Sequence, residues 1–326
     1  MVREFRKIGV LTSGGDAPGM NAAVRAVVRA GNYYGIEVVG IKNGYAGLLA
    51  GEMETMGARS VSDTLQKGGT ILKTARCLEF KTPEGIQKGV ETARKFGLDG
   101  LVVIGGDGSF RGAGALSRAG LPTIAIPGTI DNDIGCSEYT IGYDTCLNTV
   151  IDAVDKIRDT SSSHARCAVI EVMGRGAGYI ALNAGIACGA EVILIPEREY
   201  DFDKDVLGPI LEGKSRGRKQ NIVIVAEGVK GMGVIEMAKV IEEKTGIETR
   251  PAVLGHMQRG GSPSVKDRVM ASEMGVKSVE LLLEGKSNRI VCVKDSKVVD
   301  IDLEEGLATK KELPEYVVDL AKKLAT

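Results

Sequence analysis

Leu101-Val102-Val103-Ile104-Gly105-Gly106-Asp107-Gly108-Ser109 reads as a buried strand that ends on two glycines and turns directly into a helix. Four consecutive apolar residues without alternation suit a strand covered on both faces. The glycines permit a tight turn, and the backbone N–H groups that open the following helix can face an anion. The same grammar recurs at Lys7 to Leu11, Thr123 to Ile126, Cys167 to Val172, Val192 to Ile195 and Ile222 to Ala226. Short β-branched runs, each followed by glycine and a helical pattern, predict an α/β fold of mostly parallel strands with helices packed on both sheet faces. In such sheets ligands sit beyond the carboxyl ends of the strands, where every acidic or glycine-rich loop discussed below falls.

The chain has 326 residues, 43% of them hydrophobic, enough for one large or two modest α/β domains. A net charge of -1 argues against a general nucleic-acid binder. No stretch approaches the roughly 18 apolar residues of a membrane span, and Met1-Val2-Arg3-Glu4-Phe5-Arg6-Lys7 lacks a signal-peptide core, so a soluble cytoplasmic protein without membrane partners is expected. Six cysteines, at 77, 136, 146, 167, 188 and 292, include no C-x-x-C pair and predict buried, reduced thiols. The 44 glycines against 4% aromatics suit many strand-to-helix turns. Arg289 to Asp300 reads as a hairpin turning at Asp295-Ser296, a peripheral addition. There is no short-period repeat or low-complexity linker, and composition alone marks no domain boundary.

The loop Pro127-Gly128-Thr129-Ile130-Asp131-Asn132-Asp133 carries two carboxylates two residues apart at the end of a buried strand. Such charges are costly there unless chemistry uses them; one could take a proton while the other helps to hold a cation, and a capping turn is the plain alternative. Asp107 stands where a phosphate-bound magnesium would lie, since a carboxylate beside a polyphosphate needs a divalent cation between them. Arg175, in Glu171-Val172-Met173-Gly174-Arg175, suits a two-point phosphate clamp or a surface ion pair. Arg250, His256 and Arg259 bring three phosphate donors within ten residues and suggest an anion site. No Ser-His-Asp or Cys-His setting surrounds His256, so nucleophilic catalysis is not indicated.

Two pattern matches lead elsewhere. Gly208-Pro209-Ile210-Leu211-Glu212-Gly213-Lys214-Ser215 fits the Walker A string, but a helical segment precedes it and the strand Ile222 to Val225 follows, the reverse of the required setting. Gly106-x-Gly108-x-x-x-Gly112 is a loose dinucleotide fingerprint, yet Asp107 inside the turn would meet a metal-free pyrophosphate with a bare carboxylate.

Together, Leu11-Thr12-Ser13-Gly14-Gly15-Asp16-Ala17-Pro18-Gly19-Met20-Asn21, whose helix opens near Pro18, the Gly105 to Ser109 loop, Pro127 to Asp133, Val172-Met173-Gly174-Arg175 and Gly255-His256-Met257-Gln258-Arg259-Gly260-Gly261-Ser262-Pro263 closely resemble the bacterial ATP-dependent 6-phosphofructokinases over nearly the whole chain. The resemblance implies two Rossmann-like three-layer domains with the catalytic cleft between them. It divides them into residues 1–141 plus 257–308, binding ATP, and 142–256 plus 309–326, binding fructose 6-phosphate. It implies magnesium-assisted phosphorylation of the 1-hydroxyl of fructose 6-phosphate, with Asp131 as general base, Thr129 orienting the acceptor, Asp133 adding to the metal's field and Asp107 on the magnesium side. Gly15, Arg76, Cys77 and Gly106 to Ser109 (Gly106, Asp107, Gly108, Ser109) match ATP-binding positions. Thr129, Ile130, Asp131, Met173, Gly174, Arg175 and Glu227 match sugar-contacting positions, with Arg175 also near the transferred phosphoryl group. Arg166, Arg250, His256, Met257, Gln258 and Arg259 match the 6-phosphate pocket. In the family Arg166 and Arg250 reach in from a neighbouring subunit, which implies a homotetramer.

The phosphoryl donor follows from two small residues. Pyrophosphate-using relatives carry Asp at the position of Gly108 and Lys at that of Gly128, and an Asp side chain at 108 would crowd and repel the α-phosphate of ATP. A second anion site is suggested by Arg25 and Arg29, one helical turn apart, with Arg158, Arg216, Arg218 and Lys219; a solvated basic surface is the plain alternative. Family positions there bind ADP or phosphoenolpyruvate as effectors, with Gly189 and Glu191 near the nucleotide's magnesium. An effector-site arginine of the family falls on Ala58, with Arg59 beside it. The competing readings are a pyrophosphate-dependent enzyme, another kinase with a Gly-Gly-Asp-Gly turn and a nucleotide sensor without chemistry. The last has no need of both Asp131 and Arg175.

Overall fold

The computed structural model of the chain describes residues 5–325; the leader reading over Met1 to Glu4 and the final residue of the expected domain division lie outside them. Its strands are β1 (Lys7–Thr12), β2 (Glu37–Ile41), β3 (Met53–Met56), β4 (Gly100–Gly105), β5 (Thr123–Pro127), β6 (Cys167–Val172), β7 (Val192–Leu194), β8 (Asn221–Ala226), β9 (Thr249–Val253), β10 (Arg289–Lys294) and β11 (Lys297–Asp302). They form a seven-stranded sheet in the order β11-β10-β5-β4-β1-β2-β3 and a four-stranded sheet in the order β7-β8-β6-β9. The smaller sheet is wholly parallel, and the larger is parallel except at its two edge strands. This is the α/β class that the recurring strand-glycine-helix pattern predicts.

Every residue of β4 and of β8 is buried, as their unbroken apolar runs require. Of the strands that the sequence alone does not mark, β3 is short and mostly exposed and β9 carries Arg250 and Pro251, whereas β2 is apolar and buried from Val38 to Ile41. Pro251 is tolerated in β9 because that strand lies at a sheet edge. The expected hairpin is present, with Asp295 and Ser296 both left-handed at φ 51° and 60°. It is not a peripheral addition: β10 pairs with β5 and buries Ile290, Val291 and Cys292, so it extends the main sheet. The helix expected to open near Pro18 begins at Met20, with Gly19 as its N-cap at φ 108°. Gly208–Ser215 is helical throughout, which removes the Walker A loop altogether.

The chain divides into two compact units. The first runs to Ile130, resumes over Ile134–Thr145 and closes with Arg259–Lys311. The second comprises Asp131–Asp133, Cys146–Gln258 and the chain from Glu312 onward. In the first, Leu11, Ile41, Leu101, Val103 and Phe110 share one core with Tyr45 and Phe80, whose rings stack with centroids 4.0 Å apart. Tyr45 Oη donates to Ser109 O at 2.5 Å, which ties that core to the glycine loop after β4. In the second, Cys167, Val169, Val223 and Val225 pack against Ile210, Met237 and Ile241. All six cysteines are free; Cys146, Cys167 and Cys292 are buried, but Cys77, Cys136 and Cys188 are only half-buried. Among the described residues no helix is long and apolar enough to cross a membrane.

Candidate active site

In the first unit the adjacent parallel strands β5, β4 and β1 bring three loops side by side at their carboxyl ends. Ser13 N donates to Ile104 O and Gly128 N to Gly105 O, both at 2.9 Å. Gly105 has no room for a side chain, since a Cβ would lie 2.4 Å from Ser13 O. Asp107 is the first residue of the helix Asp107–Arg118, and its partly exposed carboxylate lies 3.3 Å from Arg111 Nη2. Space around Gly108 is open: a Cβ there would meet nothing within 4 Å. At Gly128 a Cβ would come within 3.0 Å of Met20 Cε and 3.1 Å of Ile104 Cγ2.

The connection that carries Arg76 and Cys77 is stitched to the loop after β1. Thr70 and Thr12 share a hydroxyl bond of 2.8 Å, Ile71 N donates to Asn21 Oδ1 at 2.7 Å and Thr74 Oγ1 donates to Gly14 O at 2.8 Å. Arg76 is exposed just past that last contact. Arg259, expected with the sugar phosphate, folds against Gly15 and donates from Nη1 to Asp16 O at 3.2 Å. Thr129 and Ile130 are buried.

In the second unit β8, β6 and β9 are neighbours, so their carboxyl-end loops also converge. Glu227 Oε1, following β8, accepts from Gly174 N at 3.2 Å and Arg175 N at 2.6 Å. Gln258 Oε1 accepts from Met173 N at 3.1 Å. These contacts hold the loop in a shape with Arg175 left-handed at φ 58°, leaving its side chain exposed. His256 and Met257 are exposed on the short 3-10 turn Gly255–Arg259. Asp131 and Asn132 are each 5% exposed, with Asn132 left-handed at φ 52°. Asp133 adds its charge to those of Glu197 and Glu312 around Tyr179, whose phenol is pushed up to about 12 by burial first and by these carboxylates second.

Arg166 and Arg250 lie elsewhere. Both pair with Glu248, Arg166 Nε at 2.8 Å, next to the amino ends of β6 and β9. Six residues of strand span about 20 Å, so these guanidinium groups sit at the opposite edge of the sheet from Gly174 and Gln258. Of the residues expected at an effector site, the second unit gathers Arg158, which donates to Cys188 O beside Gly189, and Glu191, which faces Arg218 at 3.6 Å. Arg216 pairs with Glu212 at 2.6 Å, and Lys219 is exposed. In the first unit Arg25 is half-buried and Arg29 exposed on the helix Met20–Tyr33, while Ala58 and Arg59 are exposed after β3.

The sequence reading gives no role to Glu171 or Asp267. Burial, then the charge of Glu227, raises the Glu171 carboxyl above the ordinary carboxylate range. Ser264-x-x-Asp267 is a helix-start pattern that could have drawn attention to Asp267. Among the described residues no group of three metal-ligating side chains is present. The half-exposed Asp107 carboxylate, next to open space at Gly108, fits a magnesium ion that takes its other ligands from phosphate and water.

Residues 7–282 match the family described as Phosphofructokinase. The chain belongs to that family. Among curated relatives of this phosphofructokinase-family chain, the ATP-dependent 6-phosphofructokinase of Clostridium botulinum strain Hall is 56% identical over 317 residues, 97% of this chain and 98% of the relative. Among solved structures, phosphofructokinase from Saccharomyces cerevisiae superposes with a TM-score of 0.87 at 35% identity, covering 98% of this chain and 48% of that one. Pichia pastoris phosphofructokinase in the T-state gives 0.90 at 37% identity, covering 99% and 37%. This family member thus spans about half of the one yeast chain and over a third of the other.

Proposed function

We propose that this protein transfers a phosphoryl group from ATP to the 1-hydroxyl of fructose 6-phosphate, giving fructose 1,6-bisphosphate and ADP, the committed step of glycolysis in the cytoplasm. What carries the reading is the 56% identity, over nearly the whole of both chains, to a relative named for that activity. The open space at Gly108 supports ATP over pyrophosphate, because the α-phosphate and nucleoside need the room that a longer side chain would fill.

Phosphoryl transfer depends on positioning and charge stabilisation more than on covalent help from the protein. The loops at Gly15 and Gly106 to Ser109 receive the polyphosphate on backbone N–H groups, and Arg76 neutralises its end. Asp107 would hold magnesium, which when bound would offset the charge between carboxylate and phosphates. Asp131 accepts the proton of the sugar hydroxyl, with Thr129 orienting the acceptor and Asp133 adding to the metal's field. Arg175 stabilises the charge that develops on the transferred group. Met173, Gly174 and Glu227 contact the sugar, and His256, Gln258 and Arg259 its 6-phosphate. Arg166 and Arg250 complete the phosphate pocket of a neighbouring subunit in a homotetramer, in keeping with their place at the far edge of their own sheet. Arg25, Arg29, Arg59, Arg158, Arg216, Arg218 and Lys219, with Gly189 and Glu191, bind ADP or phosphoenolpyruvate as effectors.

The test is turnover of fructose 6-phosphate with magnesium and either ATP or pyrophosphate, for wild type and Asp131→Asn together. ATP-dependent turnover is expected, falling by roughly 10²-fold or more in the variant, as loss of a general base requires. Equal turnover with pyrophosphate would overturn the donor assignment, and no turnover with either would overturn the reaction.

A further inference from the structure

Asp267 is fully buried, and its carboxylate accepts four hydrogen bonds from one short stretch of chain. Tyr139 Oη at 2.5 Å and Gly142 N at 2.6 Å donate to Oδ1; Thr145 N at 2.9 Å and Thr145 Oγ1 at 2.5 Å donate to Oδ2. The residue lies in the first turn of the helix Val265–Leu283, where its own N–H donates to the N-cap Ser264 Oγ at 3.2 Å and where the helix dipole favours negative charge.

The stretch that Asp267 holds is the one that holds Thr129. Ile141 forms a parallel bridge with Gly128. Ile141 N donates to Pro127 O at 2.9 Å, Thr129 N donates to Ile141 O at 3.1 Å and Thr140 Oγ1 donates to Thr129 O at 2.6 Å. Gly19, closing the loop after β1, packs against both partners: a Cβ there would lie 2.6 Å from Ile141 Cγ2 and 3.4 Å from Asp267 Cβ. The carboxylate therefore holds the loop after β5, and Gly19 of the loop after β1 packs on the same segment, all within the first unit.

We propose that Asp267 is a positioning residue for phosphoryl transfer: by clamping residues 139–145 it fixes the backbone from Gly128 to Ile130, and so the point at which the chain enters Asp131. The proposal rests on the function proposed above. A buried carboxylate that accepts four bonds is a costly choice for packing alone, because each donor would be left unsatisfied if the acceptor were lost. Its direction is informative, since every donor comes from residues 139–145, the segment bridged to Thr129.

Asp267→Asn keeps the size of the side chain but turns an amide N–H toward a pair of donors. In the folded variant, kcat is expected to fall roughly tenfold or more, as small misplacements of catalytic groups do, while the KM for ATP stays within about twofold. Amide hydrogen exchange at Thr129 and Ile141 should quicken in parallel. Thr82→Ala is the control for destabilisation: it removes an N-cap that accepts from Gly85 N at 3.1 Å, so it should lower Tm and leave kcat and both amides unchanged. If Asp267→Asn does not fold, Tyr139→Phe, which deletes one donor, should show a smaller version of the same pattern. Wild-type kcat and intact amide protection in a folded variant would overturn the clamp. Absence of fructose 6-phosphate turnover in the wild type would instead overturn the reaction and the catalytic half of this proposal, with amide exchange still reading the clamp.

Discussion

Gly108 is the residue at which donor choice can be separated from stability. A side chain there meets open space, and the position lies in the first turn of the helix Asp107–Arg118, where an acidic residue is favourable to the helix itself. Gly108→Asp is therefore expected to keep or raise Tm while lowering kcat/KM for ATP by roughly tenfold or more through repulsion of the α-phosphate; a loss of activity accompanied by unfolding would count against the argument. Glu171 gives a pH test. Burial and Glu227 raise its carboxyl in the folded state, so the stability it carries is full below the ordinary carboxylate value and is lost as pH rises through the folded value. Glu171→Gln should accordingly raise Tm at neutral pH, and the gain should shrink to nothing on acidification below the ordinary range, measured by thermal melts across pH. Asp107, Asp131 and Arg175 stand out in the sequence as candidates because each sits in a short motif just after an apolar run. Glu171 and Asp267 were not, because what marks them is burial among partners distant in sequence, at 227 and at 139 to 145.

At the scale of elements, most strands buried along their length are legible, β2 being the exception, and of the edge strands β7 is legible while β3 and β9 are not. β4, β6 and β8 are continuous apolar runs, whereas β3 and β9 carry Glu54, Arg250 and Pro251 and are strands only because a neighbour supplies hydrogen bonds along one side. The β10–β11 hairpin was legible as a hairpin, but its joining of β5 depends on a partner more than 150 residues away in sequence. Its turn stores a small strain, since Asp295 and Ser296 both adopt left-handed geometry that glycine takes at no cost. Ser296→Gly should stabilise the protein by about 0.5 kcal/mol, the relief of strain being partly offset by the greater freedom of glycine in the unfolded chain. A denaturant midpoint that moves downward would show that the Ser296 side chain contributes more than its backbone costs.

For the whole molecule, the decisive placement is that of Arg166 and Arg250 at the amino-end edge of the sheet whose carboxyl-end loops carry Arg175, Glu227 and Gln258. About 20 Å of strand, further than an arginine side chain extends, separates Arg166 from the loop that carries Arg175, which favours a phosphate pocket in a neighbouring chain over one in its own. If they serve a neighbour's, then Asp131→Asn and Arg166→Ala damage different halves of each shared site. Each variant alone should be nearly inactive, because every site in its oligomer lacks the same group. When the two are unfolded and refolded together, half the chains supply an intact base and half of their neighbours an intact arginine, so about a quarter of the sites should be whole. Activity should therefore reappear in the mixture, and size-exclusion chromatography should place it with the oligomer. A mixture no more active than its components would mean that Arg166 acts within its own chain or not at all, and the Arg166–Glu248 pair would then be an ordinary ion pair at the end of a sheet.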